Sequence, residues 1–394
     1  MFKNYSLHFI KIAKSYALLW ITCIYVVIAS ALYYKYGIKV AYDSPRYLHY
    51  AQHLDKGFYF DPLNFWYFSY VVLVYITQYV SAKLSLLICC QYMLGYLSVV
   101  ALYAAVQLFT KDKLTAFFAS IVFMLFPDNL IWHSFVLTES LYSSLLCFFF
   151  YALARTFKKK SMLNYLFLGC IGLLCFFCKP TAPVLFLAII IPYIITFICK
   201  PSYRLIKASV VLSFLYMLFF LGNQIIKSHS VMEMYLHGDI IFAMHHLPDF
   251  EYHDLFIITP PQNIEIVKQS DAQLYNMLSF MLKNPLFFIR LATTKLCWYW
   301  IHIRPFWSWT HNAVVIIVLW TSYYFSFVSI RKNLISASLL RPSLLYFLLH
   351  SSIVAFTWVD WDARFFVPLY PLLSYWTALG INYKIKSAKG LLKT

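Results

Sequence analysis

Residues 42–54, Tyr-Asp-Ser-Pro-Arg-Tyr-Leu-His-Tyr-Ala-Gln-His-Leu, form a polar stretch directly after the first long apolar run. Asp43 carries the carboxylate, and Pro45 stiffens the chain behind it. The residues after Pro45 have the spacing of a short amphipathic helix, with Tyr47 and Tyr50 on one face. A carboxylate at the start of such a helix is held in place, as a general base must be. The alternative is a solvated surface acid.

Glu139 and Lys179 are two further charged residues beside apolar segments. Glu139 stands just inside an apolar helix, after the hairpin between two predicted spans, and a carboxylate near membrane depth is costly and suggests a function. The alternative is that Thr138 or Ser134 caps this helix and that its dipole favours Glu139. Lys179 precedes Pro180 at a predicted outer surface. Its ammonium group either extends to the membrane interface or binds a phosphate.

Arg364 follows Asp360 and Asp362 at the outer mouth of the last predicted span. An outer arginine runs against the usual enrichment of basic residues on the cytoplasmic side, so it needs a partner there. That partner is either a neighbouring acid or an anionic ligand. A guanidinium group suits phosphate because its planar fork can donate two hydrogen bonds. Arg290 and Lys295 are two more cations predicted on this side.

Histidines and cysteines do not define a metal or redox site in the sequence. No spacing fixes a ligand set among the histidines of the polar segments, His49, His53, His133, His245 and His246. The pair Cys175 and Cys178 lies in an apolar segment, where a thiol behaves as a small hydrophobic group. The sequence therefore names no metal ligands, and it leaves open whether a divalent metal ion is needed.

The elements that carry these residues belong to a membrane protein. The chain is 62% apolar and 12% charged, with a mean hydropathy of +0.69, which lies outside the range of soluble domains. Repeated apolar runs of membrane-spanning length predict an all-α polytopic protein. The formal charge of +17 lies in short clusters between the apolar runs. Such clusters are typical of cytoplasmic anchors, and they argue against nucleic-acid binding.

The apolar runs predict about ten transmembrane helices, and the run 65–80 decides the topology. It either spans the membrane or lies in a re-entrant or interfacial position. The second alternative places the basic clusters 111–113 and 155–160 on the side of the N-terminal lysines. More than half of the 32 Lys and Arg residues then fall in cytoplasmic segments that contain one acid, Asp112. We therefore predict that both termini are cytoplasmic and that the candidate residues face outwards.

Three segments make up the predicted organisation. Residues 1–226 form a transmembrane catalytic module, whose first outer loop, 35–64, carries juxtamembrane helices. Residues 227–311 form a larger outer region with interfacial helices, and residues 312–394 form the C-terminal transmembrane helices and a basic cytoplasmic tail. The helix predicted over 286–303 carries two charges, which favours an interfacial position over a span.

Five motifs in order along the chain resemble those of the GT-C superfamily of integral-membrane glycosyltransferases. Within it, the chain is similar to bacterial relatives of protein O-mannosyltransferases and aminoarabinose transferases. The motifs are Asp43-Ser44 with Tyr47 and Ala51, Pro127 with the Leu-Thr-Glu run ending at Glu139, Lys179-Pro180-Thr181, residues 282–288 with Lys295 and Trp298, and residues 364–371. Two positions depart from the pattern. Ser44 stands where a second acid is often found, and Lys179 stands where an arginine is common.

The resemblance implies transfer of a sugar, with inversion, from a polyprenyl-phosphate-linked donor to an extracytoplasmic glycan, lipid or protein. It implies Asp43 as the general base, with Glu139 as the rival acid. Cations would bind the lipid phosphate and stabilise its developing charge. The residues predicted to contact the donor phosphate or substrate are Arg46, Tyr47, His133, Lys179, Arg290, Lys295 and Arg364. No cofactor is expected beyond the lipid-linked donor.

The expected location is a bacterial inner membrane, with the active site facing the periplasm or cell exterior. An enzyme on that side has no nucleotide supply, which agrees with a lipid-carried donor. The alternative function is a multi-pass transporter or flippase of a lipid-linked or anionic solute. A transporter predicts ionisable residues through the whole depth of the bundle, whereas the charges here gather at the predicted outer end.

Overall fold

A computed structural model describes residues 15–56, 65–199, 204–227, 231–265 and 270–390. Within these ranges the chain is helical, and its only β-pairings are isolated bridges. The all-helical structure confirms the predicted all-α class, and its apolar helices agree with a polytopic membrane protein. The N-terminal lysines and residues 57–64 of the predicted outer loop lie outside the described residues.

The helices of the described chain are numbered in order. They are α1 (Ala17–Tyr36), α2 (Ser44–His53), α3 (Phe68–Val80), α4 (Leu84–Thr110), α5 (Lys113–Leu125), α6 (Pro127–Leu130), α7 (Thr138–Lys158), α8 (Met162–Phe176), α9 (Pro183–Ile198), α10 (Arg204–Lys227), α11 (Val231–His237), α12 (Gln273–Lys283), α13 (Pro285–Ile301), α14 (Trp309–Val315), α15 (Thr321–Arg331), α16 (Ala337–Phe356) and α17 (Tyr370–Ala388). A π-helical turn, Ile316–Trp320, joins α14 to α15.

Six helical stretches among the described residues are long and apolar enough to cross a membrane. A seventh is added if α5 and the bent segment Pro127–Ser134 count as one span, although the two are inclined by 71°. The predicted count of about ten is not confirmed. The helices α8 and α9 have 15 and 16 residues. At about 1.5 Å per residue they are shorter than a hydrocarbon core of about 30 Å.

The chain divides into two compact units. The first unit comprises residues 1–182, 309–337 and 366–394, and it contains α1–α8, α14, α15 and α17. The second unit comprises residues 183–308 and 338–365, and it contains α9–α13 and α16. Residues 309–337 and 366–390 thus belong to the same unit as the N-terminal helices. The three consecutive segments suggested by the sequence stay a prediction.

Several helix ends of the first unit meet at one end of that unit, and these ends carry basic residues. The α4–α5 turn contains Asp112, whose carboxylate accepts hydrogen bonds from Lys386 (3.0 Å) and Asn382 (2.7 Å) near the end of α17. The ends of α4 and α7 also meet, since the rings of Phe109 and Phe157 lie 6.1 Å apart. The basic clusters of these helix ends therefore share one end of the unit, as the predicted topology requires.

The helix α3 does not run to that basic end. Its start is bound near Gln91, whose side chain accepts a hydrogen bond from the Tyr70 hydroxyl (2.9 Å). Ser69 is also bound to the carbonyl of Phe177 through its backbone amide (2.8 Å). The end of α3, Val80, is followed almost immediately by the start of α4. Because α3 turns back within the first turns of α4, this geometry favours the re-entrant or interfacial alternative.

Small and hydroxylated residues form the contact between α15 and α17. Ser329 donates a hydrogen bond to the carbonyl of Trp376 (2.6 Å), and Ser326 lies 3.2 Å from the hydroxyl of Thr377. A side chain at Gly380 would collide with the carbonyl of Phe325. This close approach is the kind of packing that joins helices in membranes, where small residues let two backbones come together.

The second unit combines helices with a small non-helical layer. The bridges Asp239 to Ile257 and Ile241 to Val359 join three chain segments there. Gly238 begins the layer with a positive φ of 75°, and a β-carbon at this position would meet the carbonyl of Ile258. The chain can therefore fold back after α11 because residue 238 is a glycine.

Candidate active site

The polar loop before α2 is fixed to the segment that precedes α7. The Lys39 amide donates to the Ser134 carbonyl (2.9 Å), and the Val136 amide donates to the Lys39 carbonyl (2.9 Å). The Ser44 hydroxyl donates to the carbonyl of Val136 (2.8 Å) and accepts from the amide of Ala41 (2.8 Å). Ser44 is therefore a structural link. It holds Asp43 close to the start of α7, which carries Glu139.

Asp43 and Arg46 form an accessible pair of opposite charges at the start of α2. The guanidinium nitrogen of Arg46 lies 3.7 Å from a carboxylate oxygen of Asp43, and the two side chains are 28% and 26% exposed. The guanidinium also lies over the rings of Tyr47 (5.2 Å) and Tyr67 (5.0 Å). These rings restrain the arginine side chain by cation–π contact. A carboxylate and a restrained cation are thus presented together, both within reach of solvent.

Glu139 and Lys179 form a second pair that is buried. The Lys179 ammonium lies 2.8 Å from a carboxylate oxygen of Glu139, and the two side chains are only 6% and 3% exposed. Glu139 occupies the first turn of α7, and neither Thr138 nor Ser134 caps that helix, because its N-cap residue is Leu137. The packing of α7 against α8 brings the two charges together. Each charge neutralises the other, which is the condition for burying either of them.

Tyr47 lies between these two pairs. Burial raises the pKa of its phenol well above the usual value, and the neighbouring Tyr67 and the negative charge of Glu139 raise the pKa further. Its ring packs against Tyr67 (5.2 Å) and Tyr70 (5.3 Å). Tyr47 therefore stays a neutral phenol at physiological pH. Its ring lines the space between the two pairs, and its hydroxyl accepts a hydrogen bond from the Arg46 guanidinium (3.4 Å).

No family model, curated protein or solved structure matches this chain. The resemblance to GT-C glycosyltransferases therefore stays a prediction carried by the motifs. The geometry of the first unit brings four of the residues named for that resemblance into one neighbourhood, together with Arg46: Asp43, Tyr47, Glu139 and Lys179.

His133, another predicted contact residue, belongs to the first unit but has a different environment. Its side chain is buried, and its ring lies 5.6 Å from the ring of Tyr92. It also packs against Gly95 so closely that a side chain at that position would collide with the ring. These contacts give His133 a packing role between α4 and the turn before α7.

Cys178, next to Lys179, is buried as a thiol. A buried free thiol of this kind packs as a small hydrophobic group. This agrees with the interpretation of the Cys-Phe-Phe-Cys sequence as apolar packing.

The remaining predicted cations belong to the second unit. Lys295 is fully buried; its ammonium donates to the carbonyl of Thr357 (2.6 Å) and lies 4.2 Å from the ring centre of Tyr235. Arg364 lies 3.4 Å from a carboxylate oxygen of Asp362. Its partner is therefore a neighbouring acid, which is one of the two alternatives given for it above. Arg290 is exposed on α13.

The environment of Lys295 predicts a stability that depends on pH. Burial lowers the pKa of its ammonium from 10.5 to about 7, and the charge of Asp239 only partly opposes this. Between these two pH values the unfolded chain binds more protons than the folded chain, so stability rises with pH. Lys295→Met should remove this rise. Thermal unfolding in detergent at pH 7 and near pH 10 measures it. The exposed Lys83→Met is the control, and an unchanged slope in Lys295→Met would contradict the account.

Arg304 is a buried cation that sequence reasoning missed. Its guanidinium donates to the carbonyls of Trp298 (3.0 Å), Ile303 (3.0 Å) and Asp360 (3.3 Å). It therefore ties the end of α13 to the segment after α16. The signal in the sequence was an arginine among aromatic residues, which does not distinguish a structural clamp from a ligand-binding group.

Proposed function

We propose that this chain is a membrane glycosyltransferase that uses a polyprenyl-phosphate-linked sugar. The observation that carries the proposal is the accessible pair of Asp43 and Arg46 beside the buried pair of Glu139 and Lys179. The Asp43–Arg46 pair offers a carboxylate and a guanidinium to solvent. The Glu139–Lys179 pair stabilises the buried packing beside it. The motif resemblance supplies the reaction class, and the geometry supplies a division of roles.

In the proposed reaction, the Asp43 carboxylate takes the proton of an acceptor hydroxyl or amine. The acceptor atom forms a bond to the anomeric carbon from the face opposite the lipid phosphate. The bond from that carbon to the phosphate oxygen breaks, and the polyprenyl phosphate leaves with the electron pair. The sugar is transferred with inversion, and no other reactant is needed. General-base assistance of this kind contributes about 10²–10⁴-fold to a rate.

Arg46 is the first-unit cation best suited to the leaving phosphate. Its planar guanidinium can donate two hydrogen bonds to phosphate oxygens, and the rings of Tyr47 and Tyr67 limit its motion. Lys179 is less suited to that role because Glu139 already neutralises it at 2.8 Å. We therefore assign Glu139 and Lys179 to positioning. Stabilisation of the charge that develops on a leaving group is a major source of catalysis.

The distribution of charge supports a transferase over a transporter. In the described helices of the first unit, charged side chains stand near the helix ends, as Lys35, Glu139, Arg155, Arg331 and Lys386 do. A route through the membrane for an anionic solute would need ionisable groups along its depth. The mid-depth positions of these described helices carry no charged side chain, and their polar groups are hydroxyls and the amide of Gln91.

Mass analysis of cell-surface glycans, with and without this chain, tests the proposed function. We expect one glycan or lipid species to lose the mass of a sugar residue when the chain is absent and to regain it when the wild-type chain is restored. A strain restored with an Arg46→Gln variant should recover only part of the modification. An unchanged glycan profile in the absence of the chain would overturn the proposal.

A further inference from the structure

The second unit contains a group of side chains that the proposed function does not use. Glu233 lies on α11, and His245 and His246 form most of a 3₁₀ turn that follows the non-helical layer. One carboxylate oxygen of Glu233 lies 3.5 Å from Nε2 of His245 and 3.8 Å from Nε2 of His246. The three donor atoms all lie within 4.8 Å of one another. The reversal of the chain at Gly238 brings these segments together.

The separations match those of ligands that share an ion better than those of direct hydrogen bonds. Two ligand atoms on one tetrahedral zinc ion, each about 2.1 Å from it, are themselves about 3.4 Å apart. A hydrogen bond between nitrogen and oxygen is typically about 2.9 Å long. The two separations that involve Glu233, 3.5 and 3.8 Å, are close to this ligand spacing, and all three donor atoms lie within 4.8 Å of one another.

Asp239 fixes the orientation of His245. Its buried carboxylate lies 2.6 Å from Nδ1 of the imidazole and also accepts a hydrogen bond from the His245 backbone amide (3.2 Å). This contact places the ring proton on Nδ1 and leaves the lone pair of Nε2 directed at Glu233. A carboxylate behind a ligating histidine is the arrangement that supports metal ligands in proteins. The ring of His237 stacks on the ring of His245, with 4.1 Å between the ring centres, and restrains it further.

The free nitrogen of His245 has no hydrogen-bond partner among the described residues, although it is buried. The His245 side chain is 10% exposed, whereas those of Glu233 and His246 are 46% and 62% exposed. A buried polar atom without a partner is costly, and a bound ion would satisfy it. The exposed side of the group leaves a path for an ion to enter and room for a further ligand.

We propose that Glu233, His245 and His246 bind a divalent transition-metal ion of the zinc class, with Asp239 as the supporting carboxylate. Two imidazole nitrogens and one carboxylate oxygen form a ligand set that suits zinc. The proposal is independent of the sugar-transfer activity, because its residues lie outside the group of Asp43. Its failure would leave that activity untouched.

The test is metal binding by the full chain in detergent, with no histidine tag. After treatment with a chelator, the protein is titrated with Zn²⁺ by calorimetry and with Co²⁺ by visible absorption. We expect saturable binding of Zn²⁺. The visible absorption spectrum of the protein with Co²⁺ should be typical of a cobalt ion with a low coordination number. Glu233→Gln and His246→Ala should abolish saturable binding, and Asp239→Asn should weaken it about 10–100-fold.

His253→Ala is the matched control, because His253 lies in the same loop region but contacts Asp254 (3.0 Å) outside the group. Its metal binding should equal that of the wild-type chain. Glu233 and His246 are exposed, so their variants are expected to fold, and thermal unfolding without metal checks this. Equal binding by the wild type and the Glu233→Gln and His246→Ala variants would overturn the proposal. So would the absence of saturable binding in the wild type.

Discussion

Asp43→Asn is expected to lower sugar transfer from a polyprenyl-phosphate donor by about 10²–10⁴-fold, because the amide cannot accept the acceptor proton. The change keeps the size of the side chain, and the loop is held by Ser44 and Val136 through contacts that do not involve the Asp43 carboxylate. The protein should therefore fold normally. The measurement is the turnover of purified protein in lipid nanodiscs, followed by mass analysis of the released polyprenyl phosphate.

Two variants make the Asp43 result specific. Asp43→Glu keeps a carboxylate but moves it by one methylene, so it should retain part of the activity. Asp249→Asn removes an exposed aspartate in the second unit and should have no effect. If the Asp43→Asn variant keeps a turnover within a few-fold of the wild type, Asp43 is not the general base. Glu139 would then be the acid to examine next.

Glu139→Gln and Lys179→Met are each expected to lower the free energy of unfolding by about 3–5 kcal/mol, because each leaves the other charge buried without its partner. The pair is 2.8 Å apart and its side chains are almost fully buried, so solvent cannot compensate for the lost charge. Thermal or denaturant unfolding in detergent measures the loss. Its size should exceed that of any surface substitution in the chain.

The double variant Glu139→Gln with Lys179→Met separates charge pairing from simple loss of packing. Since neither charge remains, it should recover much of the stability that each single variant loses. The exposed pair Lys283 and Glu265, 3.6 Å apart, is the matched control, and breaking it should cost at most about 1 kcal/mol. Additive losses in the double variant would show that the two charges do not depend on each other.

The local structure around Asp43 could be predicted because it depends on neighbouring residues. Pro45 fits the first turn of a helix, and α2 begins at Ser44 in the structure. The tyrosine spacing indicated one buried face, and both Tyr47 and Tyr50 are buried. The helix predicted over 286–303 also depends on local sequence, and α13 starts at Pro285 in the structure. Capping, proline geometry and periodicity act over a few residues, so the sequence displays them directly.

The pairing of distant residues could not be predicted. Glu139 and Lys179 each had a separate local interpretation, and only the packing of α7 on α8 joins them. The same holds for Glu233 with His245, which depends on the reversal at Gly238. The predicted count of spans is not confirmed for another reason: the hydropathy of an apolar run includes the turns on either side of a short helix. The apolar run 161–178 is longer than α8, which ends at Phe176.

The most direct test of the account is the fate of a lipid-linked sugar donor given to the purified chain. Polyprenyl-phosphate sugar is incubated with the chain in nanodiscs and a membrane extract that contains acceptors, and the lipid products are analysed by mass. We predict that polyprenyl phosphate is released and that the sugar appears on an acceptor with inverted anomeric configuration, in the wild type but not in Asp43→Asn. Donor that stays intact with the wild-type chain in nanodiscs would contradict the account, and so would its transfer, unchanged, across the membrane of vesicles that contain the chain.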